Sequence, residues 1–339
     1  MITIKDIARL SGYSIGTVSR VINHHPDVST AAREKIEQVI ADNNYQPNTN
    51  AKMLKQAVSS NISVLVKGTS NTFLESILED IQHLLRESDH GIDVMFLEET
   101  ANEVETAIQV CNIRKPVGII FLGGNLNYFR ESFGGIDVPC VLVADTAAEL
   151  GYANLSSFTT NDILGSREAV QYLCRKGHTQ IGIVGGSSDN ERGFVGTRRI
   201  EGAVSVLKEN GLAFDLEKQY EPSLFSIEDG YRAMKNLIRK SPEITAVFAI
   251  SDEVAIGVIR AVHDMGLRVP EDISVIGYDG IEYAKFSVPR IATIQQNTLM
   301  LAQKSVDDLL LRINYPRTAV HEELPFEVIC GESVAEPRR

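Results

Sequence analysis

The stretch Thr3–Asn23, TIKDIARLSGYSIGTVSRVIN, sets two short apolar repeats on either side of a glycine. Thr3-Ile4-Lys5-Asp6 has the form of a capping box with Asp in place of Glu. Ile4, Ile7, Ala8 and Leu10 follow at helical spacing, which predicts a first helix ending near Ser11. Gly12 permits a tight turn, and Ser14 can cap a second helix whose apolar face is Val18, Val21 and Ile22. Ala8 is small enough for the two helices to cross closely. A third helix, Ser29 to about Asn43, closes a small core with Ile36, Val39 and Ile40. Helix, glycine turn and helix within about 20 residues is the helix-turn-helix pattern, whose second helix enters the DNA major groove. Geometry alone equally allows a helical hairpin that packs on a neighbour and meets no DNA.

Outward from this head, Asn48–Lys55 (NTNAKMLK) has the length of two helical turns, capped by Asn48 or Thr49 and too short to be stable alone. A flexible linker is the alternative. The chain of 339 residues is long enough for two or three compact units, and 43% of it is hydrophobic, so most of it should be globular. Its 33 Lys and Arg against 45 Asp and Glu give −12, a balance unlike that of a nucleic-acid binder until its distribution is followed. Residues 1–60 hold seven bases and five acids, +2, which leaves −14 for the rest. A mildly basic head can approach phosphate while an acidic body discourages indiscriminate binding.

The start lacks a basic segment followed by an apolar run, and no apolar stretch approaches the ~18 residues needed to span a bilayer, so a soluble cytoplasmic protein is expected. Cys111, Cys140, Cys174 and Cys330 are scattered without metal or redox spacing and read as free thiols.

From Asn61 short apolar runs alternate with helical patterns. Candidate strands are Ile62–Val66, Ile92–Leu97, Val117–Leu122 and Cys140–Ala144, then Gln180–Gly185, Gln219–Phe225, Ala246–Ile250 and Ile273–Gly277. Ile291–Gln296 adds one more, followed by a helix from Thr298 to about Asn314. Such alternation predicts two doubly wound parallel-sheet lobes. Ligands of these sheets sit beyond the carboxyl ends of the strands. There lie Asn71 with Phe73, Gly123-Gly124-Asn125, Asp145, Ser187-Ser188-Asp189, Phe225, Ser251-Asp252 and Tyr278-Asp279. One Asp after a strand is usually a helix cap. Polar residues recurring at the same topological place point to one cleft between the lobes.

The opening run, with the later Val28-Ser29-Thr30 and Tyr45-Gln46-Pro47-Asn48, closely resembles the head of the lactose-repressor (LacI/GalR) family. The resemblance continues through RKGHTQIGIVGG, RRIEGA, AVFAISDEVAIG, GLRVPEDISVIGYD and ATIQQ, and so covers nearly the whole chain. It implies an all-α helix-turn-helix head (1–46), a hinge helix and linker (47–60) and an α/β body of two periplasmic-binding-protein-like lobes. The first lobe would be 61–158 plus 291–318 and the second 159–290 plus 319–339, with crossings near Thr159, Ile291 and Ala319. It implies a sequence-specific transcription regulator, a repressor, that binds a near-palindromic DNA operator as a homodimer under control of a small-molecule effector, with no cofactor.

By the same resemblance the base-reading positions fall on Ile15, Gly16 and Arg20, of which Arg20 can pair with guanine, Ile15 can touch a thymine methyl and Gly16 can read nothing. Thr17 and Ser19 contact phosphate, and Thr3, Ser14, Asn23 and Lys55 complete the DNA-facing set. Ile15 and Gly16 depart from the polar pair of several relatives. Leu54 takes the place of the leucine that wedges into the minor groove, and Ala51 leaves room for the partner's hinge helix. In the body the resemblance nominates Phe73, Leu74, Arg199, Phe225, Ser251 and Asp279 as effector contacts, with Asp145 and Gln296 after them, and the strand-end position adds Gly123. Asp252 is expected to cap rather than to contact. Arg199 and Asp279 suit vicinal hydroxyls or a carboxylate. Ser251 and Leu74 depart from residues frequent in sugar-responsive members, and the chain has no Trp. A sugar or sugar derivative is expected, with a nucleoside or another metabolite as the alternative.

Two other classes share parts of this pattern. A transporter's solute-binding protein has the same two lobes but needs an export signal and no DNA-binding head. An enzyme would need a site, yet there is no GxSxG, no GxGxxG or GxxxxGK[ST] loop and no metal-spaced histidine cluster.

Overall fold

The computed structural model describes residues 4–22, 28–43, 60–69, 71–186 and 195–338. The chain divides into two compact units, Met1–Ser59 and Ser60–Arg339. In the first unit α1 (Ile4–Ser11), α2 (Ile15–Ile22) and α3 (Thr30–Asp42) enclose Ile7, Ala8, Val18, Val21 and Ile36. Gly12 takes φ +79°, a conformation glycine adopts without strain, and turns the chain between α1 and α2. Leu10, counted above with the apolar repeat, is half exposed instead, because a position three residues after Ile7 but two after Ala8 lies at the edge of so short a helix's inner face. Thr3, Asn23, Ala51, Leu54 and Lys55, and with them the expected hinge helix, lie outside the described residues.

The second unit begins with β1 (Ile62–Lys67), α4 (Thr72–Leu85), β2 (Ile92–Leu97), α5 (Glu103–Arg114), β3 (Gly118–Leu122), α6 (Leu126–Ser132), β4 (Cys140–Val143) and β5 (Leu155–Thr160). It continues with α7 (Asp162–Arg175), β6 (Ile181–Val184), α8 (Val195–Glu209), α9 (Leu216–Gln219), β7 (Tyr220–Glu221), α10 (Ile227–Lys240), β8 (Ala246–Ala249), α11 (Asp252–Asp264) and β9 (Ser274–Asp279). Last come α12 (Glu282–Phe286), β10 (Ala292–Gln296), α13 (Thr298–Asn314), β11 (His321–Leu324) and β12 (Phe326–Ile329).

Among the described residues the strands form two six-stranded sheets, ordered β11-β5-β4-β3-β1-β2 and β12-β10-β9-β8-β6-β7. Pairing is parallel throughout, with β1 registered Ile62↔Ile92 and Ile62↔Gly118, except that β12 runs antiparallel to β10. Both faces of each sheet are covered, so β1, β3, β4, β6, β8 and β9 are buried along their whole length, which is why they read as unbroken apolar runs.

Three sequence expectations are corrected. The strand at 291–296 does not belong to the first lobe: β10 pairs with β9 in the second sheet, and the chain crosses only at Asn297, which caps α13. Nor does 319–324 belong to the second lobe, since β11 pairs with β5 and the crossing falls at Pro325, between β11 and β12. The first crossing follows Thr160, after β5, a strand absent from the apolar pattern because it is built from Ser-Ser-Phe-Thr-Thr. Its two serine hydroxyls are buried against partners. Ser156 Oγ accepts from Arg312 Nη1 (2.8 Å) and Val320 N (3.0 Å), and Ser157 Oγ accepts from Ala147 N (3.0 Å). The expected strand 219–225 shrinks to Tyr220–Glu221, after which the chain turns toward the Ser226 cap of α10.

Candidate effector cleft and DNA-facing helix

Beyond the carboxyl ends of both sheets lies a cavity of about 210 Å³. The first lobe lines it with Lys67, Asn71, Phe73, Leu74, Gly123 and Ala144, and the second with Arg199, Phe225 and Asp279. Topology explains most of the convergence: Lys67, Asn71, Phe73, Leu74, Gly123, Ala144 and Asp279 sit on, or just after, a strand end or in the first turn of the following helix, while Phe225 lies in the loop after β7 and Arg199 on the second turn of α8.

The second-lobe wall is a network of charges satisfied by one another. Arg199, buried on α8, donates from Nε to Asp162 Oδ1 (2.9 Å) and from Nη1 to the Ile250 carbonyl (2.7 Å), and lies 3.1 Å from Asp279 Oδ1. Its guanidinium is stacked 3.8 Å above the Tyr278 ring. Burial opposes the charge, but Asp279 and Asp162 outweigh it and hold the group more firmly protonated than a free arginine. Burial pushes Asp279 up to about 6 against the pull of Arg199 and of Gln296, whose Nε2 donates to its Oδ1 at 2.8 Å. Asp279 also sits at φ +109°, a strained conformation for a residue with a side chain, held by this network. Behind it Asp252 Oδ2 accepts from Gly280 N (2.7 Å) and Ile281 N (2.9 Å). Burial, then the Asp279 charge, push Asp252 up to about 8.

The first-lobe wall is different. Phe73 and Leu74 open α4 under an Asn71 cap, whose side chain accepts from Leu74 N at 3.1 Å. Gly123 at φ +70° brings bare backbone to the surface, and a Cβ there would lie 3.2 Å from Leu74 Cδ1. One buried ion pair, Lys67 with Glu103, anchors the floor, and Lys67 Nζ also donates to the Ala101 carbonyl (3.0 Å).

Three contacts join the walls. Glu253 of the second lobe accepts from Thr72 N (2.9 Å) and Thr72 Oγ1 (2.8 Å) at the start of α4. Arg198 of α8 pairs with Asp145, which burial pushes up to about 6 against that arginine. Glu99 accepts from the Phe225 backbone, and burial raises its pKa.

Of the residues nominated from sequence, Phe73, Leu74, Gly123, Arg199, Phe225 and Asp279 line one cavity. Ser251 does not. It caps α11 by accepting from Val254 N, taking the role expected of Asp252, which instead holds the Gly280–Ile281 turn. Asp145 and Gln296 lie behind the wall, on Arg198 and Asp279. Asp162, Arg198, Lys67, Glu99 and the Thr72–Glu253 bridge were not nominated. Asp162 opens the helix after the missed strand β5, so finding that strand would have pointed to it.

On the head, Ser14 Oγ accepts from Thr17 N (3.1 Å) and is hydrogen-bonded to Thr17 Oγ1 (2.9 Å), so it is the cap of α2. Ile15, Gly16 and Arg20 lie on the exposed face, and Thr17 and Ser19 are half-buried. A Cβ on Gly16 would meet only Ser14 Oγ, at 3.7 Å, so packing does not demand glycine there.

Residues 3–48 match the family of bacterial regulatory proteins named for lacI, and 170–334 match a periplasmic binding protein-like domain. The HTH-type transcriptional regulator MalR of Clostridium butyricum is 37% identical over 335 residues, covering 97% of this chain and 98% of that one. The ribose operon repressor of Haemophilus influenzae is 32% identical, covering 97% of each. The crystal structure of the lac repressor dimer bound to operator and the anti-inducer ONPF superposes with a TM-score of 0.75 at 25% identity, covering 98% of this chain and 99% of that one. With a regulator-type head, a two-lobed body and end-to-end similarity to such repressors, the chain belongs to the lacI family of bacterial DNA-binding transcription regulators.

Proposed function

We propose that this chain is a homodimeric repressor whose affinity for a near-palindromic operator is set by a sugar or sugar derivative bound between its lobes. The observation that carries the reading is the pairing, in one polypeptide, of a helical head that leaves Ile15, Gly16 and Arg20 exposed with a cleft whose wall holds a buried Arg199–Asp279 fork. A forked donor beside a carboxylate suits vicinal hydroxyls, and Phe73 and Phe225 offer apolar surface to a sugar face. The ribose repressor among the relatives favours this class.

Arg20 reads guanine and Ile15 a thymine methyl, while Thr3, Ser14, Thr17, Ser19 and Asn23 set the register on the backbone. Ala51, Leu54 and Lys55 form the hinge that seats in the minor groove. Exposed Tyr283, Phe286 and Val288 on the second lobe give a second copy apolar surface to cover. Effector changes the angle between lobes, and a tenfold change in operator affinity needs only ~1.4 kcal/mol of differential binding.

Selection of duplexes from a random library by the purified chain, with and without sugars, tests the proposal. A two-fold symmetric site is expected, and Leu54→Ala should lose most specific affinity while keeping salt-sensitive nonspecific binding. No preference for any duplex would end the reading.

A further inference from the structure

We infer that the ligand of this cleft carries no anionic group: an uncharged polyhydroxy compound enters, and its phosphorylated or uronic form is refused. The inference rests on the cleft being the effector site. Among the described residues the cations on or directly behind the wall are Lys67, Arg198 and Arg199. Each is already engaged, Lys67 by Glu103, Arg198 by Asp145 and Asp162, and Arg199 by Asp162 and Asp279. Those four carboxylates outnumber the three cations, and Glu98 and Glu99 on the cavity wall add two more. The N-terminus of α4, beside the cavity, is occupied: Asn71 takes Leu74 N and the Glu253 carboxylate takes Thr72 N.

What such a wall lacks in free positive charge it offers in acceptors. The Gln296 bond and the Arg199 pair both use Asp279 Oδ1, which leaves Oδ2 for a ligand proton. A hydroxyl can donate that proton, whereas a phosphate or carboxylate at neutral pH adds like charge beside Glu99, whose own ionisation burial already resists.

Isothermal titration of the full chain with matched probes tests this: ribose and ribose 5-phosphate, glucose with glucose 6-phosphate and glucuronate, and adenosine with its 5′-monophosphate. The neutral member of one set should bind, with its anionic counterpart at least about a hundredfold weaker. Glu99→Gln should narrow that gap. Tighter binding of any anionic member, abolished by Arg199→Lys, would overturn the inference while leaving the sugar-cleft reading intact if that member is a sugar derivative. Binding of adenosine but not its monophosphate would support the inference and remove the sugar. Heat from none of the probes would remove both, with operator recognition by the head judged separately.

Discussion

The two lobes share one strand order yet face each other with unlike walls. The second lobe presents Arg199 and Asp279, locked by bonds to Asp162 and Gln296 behind them and, for Arg199, by the ring of Tyr278 before any ligand arrives. The first presents Phe73, Leu74 and the backbone at Gly123, flanked by the paired Lys67 and by Glu98 and Glu99. A preorganised polar wall orients a ligand at little further entropic cost, and apolar surface such as Phe73 and Leu74 closing over it removes water and strengthens those same bonds. If the cleft holds the effector as proposed, orientation and closure fall to different halves of the chain.

Arg199→Ala should break this division most severely. It strands Asp162 and Asp279 in the interior without a cation, so the second unit should lose about 3–5 kcal/mol in urea unfolding, with effector binding abolished. Retention of ligand affinity would mean that the polar wall does not orient.

Next in size is a pH effect confined to the second lobe. With Asp252 pushed up to about 8, the folded chain keeps a proton that the unfolded chain has released above about 4. The stability this group contributes is complete below that pH and is lost as pH rises through about 8. Asp252→Asn retains an acceptor for Gly280 N and Ile281 N but cannot ionise, so unfolding free energy between pH 5 and 8 should fall less steeply, by up to about 1 kcal/mol per unit. Equal slopes in the two proteins would place the titration elsewhere.

Smaller changes probe the first wall and the seam. Thr72→Val deletes the hydroxyl that reaches Glu253 and should cost about 1–2 kcal/mol by chemical denaturation. The ligand-free chain should also become more open by small-angle scattering. Gly123→Ala forces a side chain onto φ +70° against Leu74, with a loss of about 1 kcal/mol. Its effector affinity should fall while Arg199 and Asp279 stay in place, and undiminished affinity would show that the bare backbone has no part in closure.

Much of this was legible in the sequence where burial is two-sided or local chemistry is strong. The runs at Ile62, Val117 and Ala246 could only be interior strands, and Gly12 with Ser14 marked the turn of the head. Strand β5 escaped because its polar residues are buried by partners such as Arg312, 156 positions away from Ser156. β11, His-Glu-Glu-Leu, escaped because an edge strand largely outside the core needs no apolar pattern. In the cleft, Arg199 and Asp279 were visible through resemblance, and the partners that fix them were not. Asp162, Glu253 and Lys67 acquire meaning only from contacts across 36 to 181 residues, which no local pattern encodes. Ser251 and Asp252 exchanged roles because both are acceptable acceptors at a helix start.

The passages at Asn161, Asn297 and Pro325 run between the two outermost strands at one side of each sheet, β5 and β11 in one and β10 and β12 in the other. Three ties gathered along one rim act like the knuckles of a door: they resist sliding and separation but leave swing about a single axis. A protease nick at any one of them would leave two covalent straps, so the halves should stay together and keep their aim after a cut that would dismember a singly linked pair.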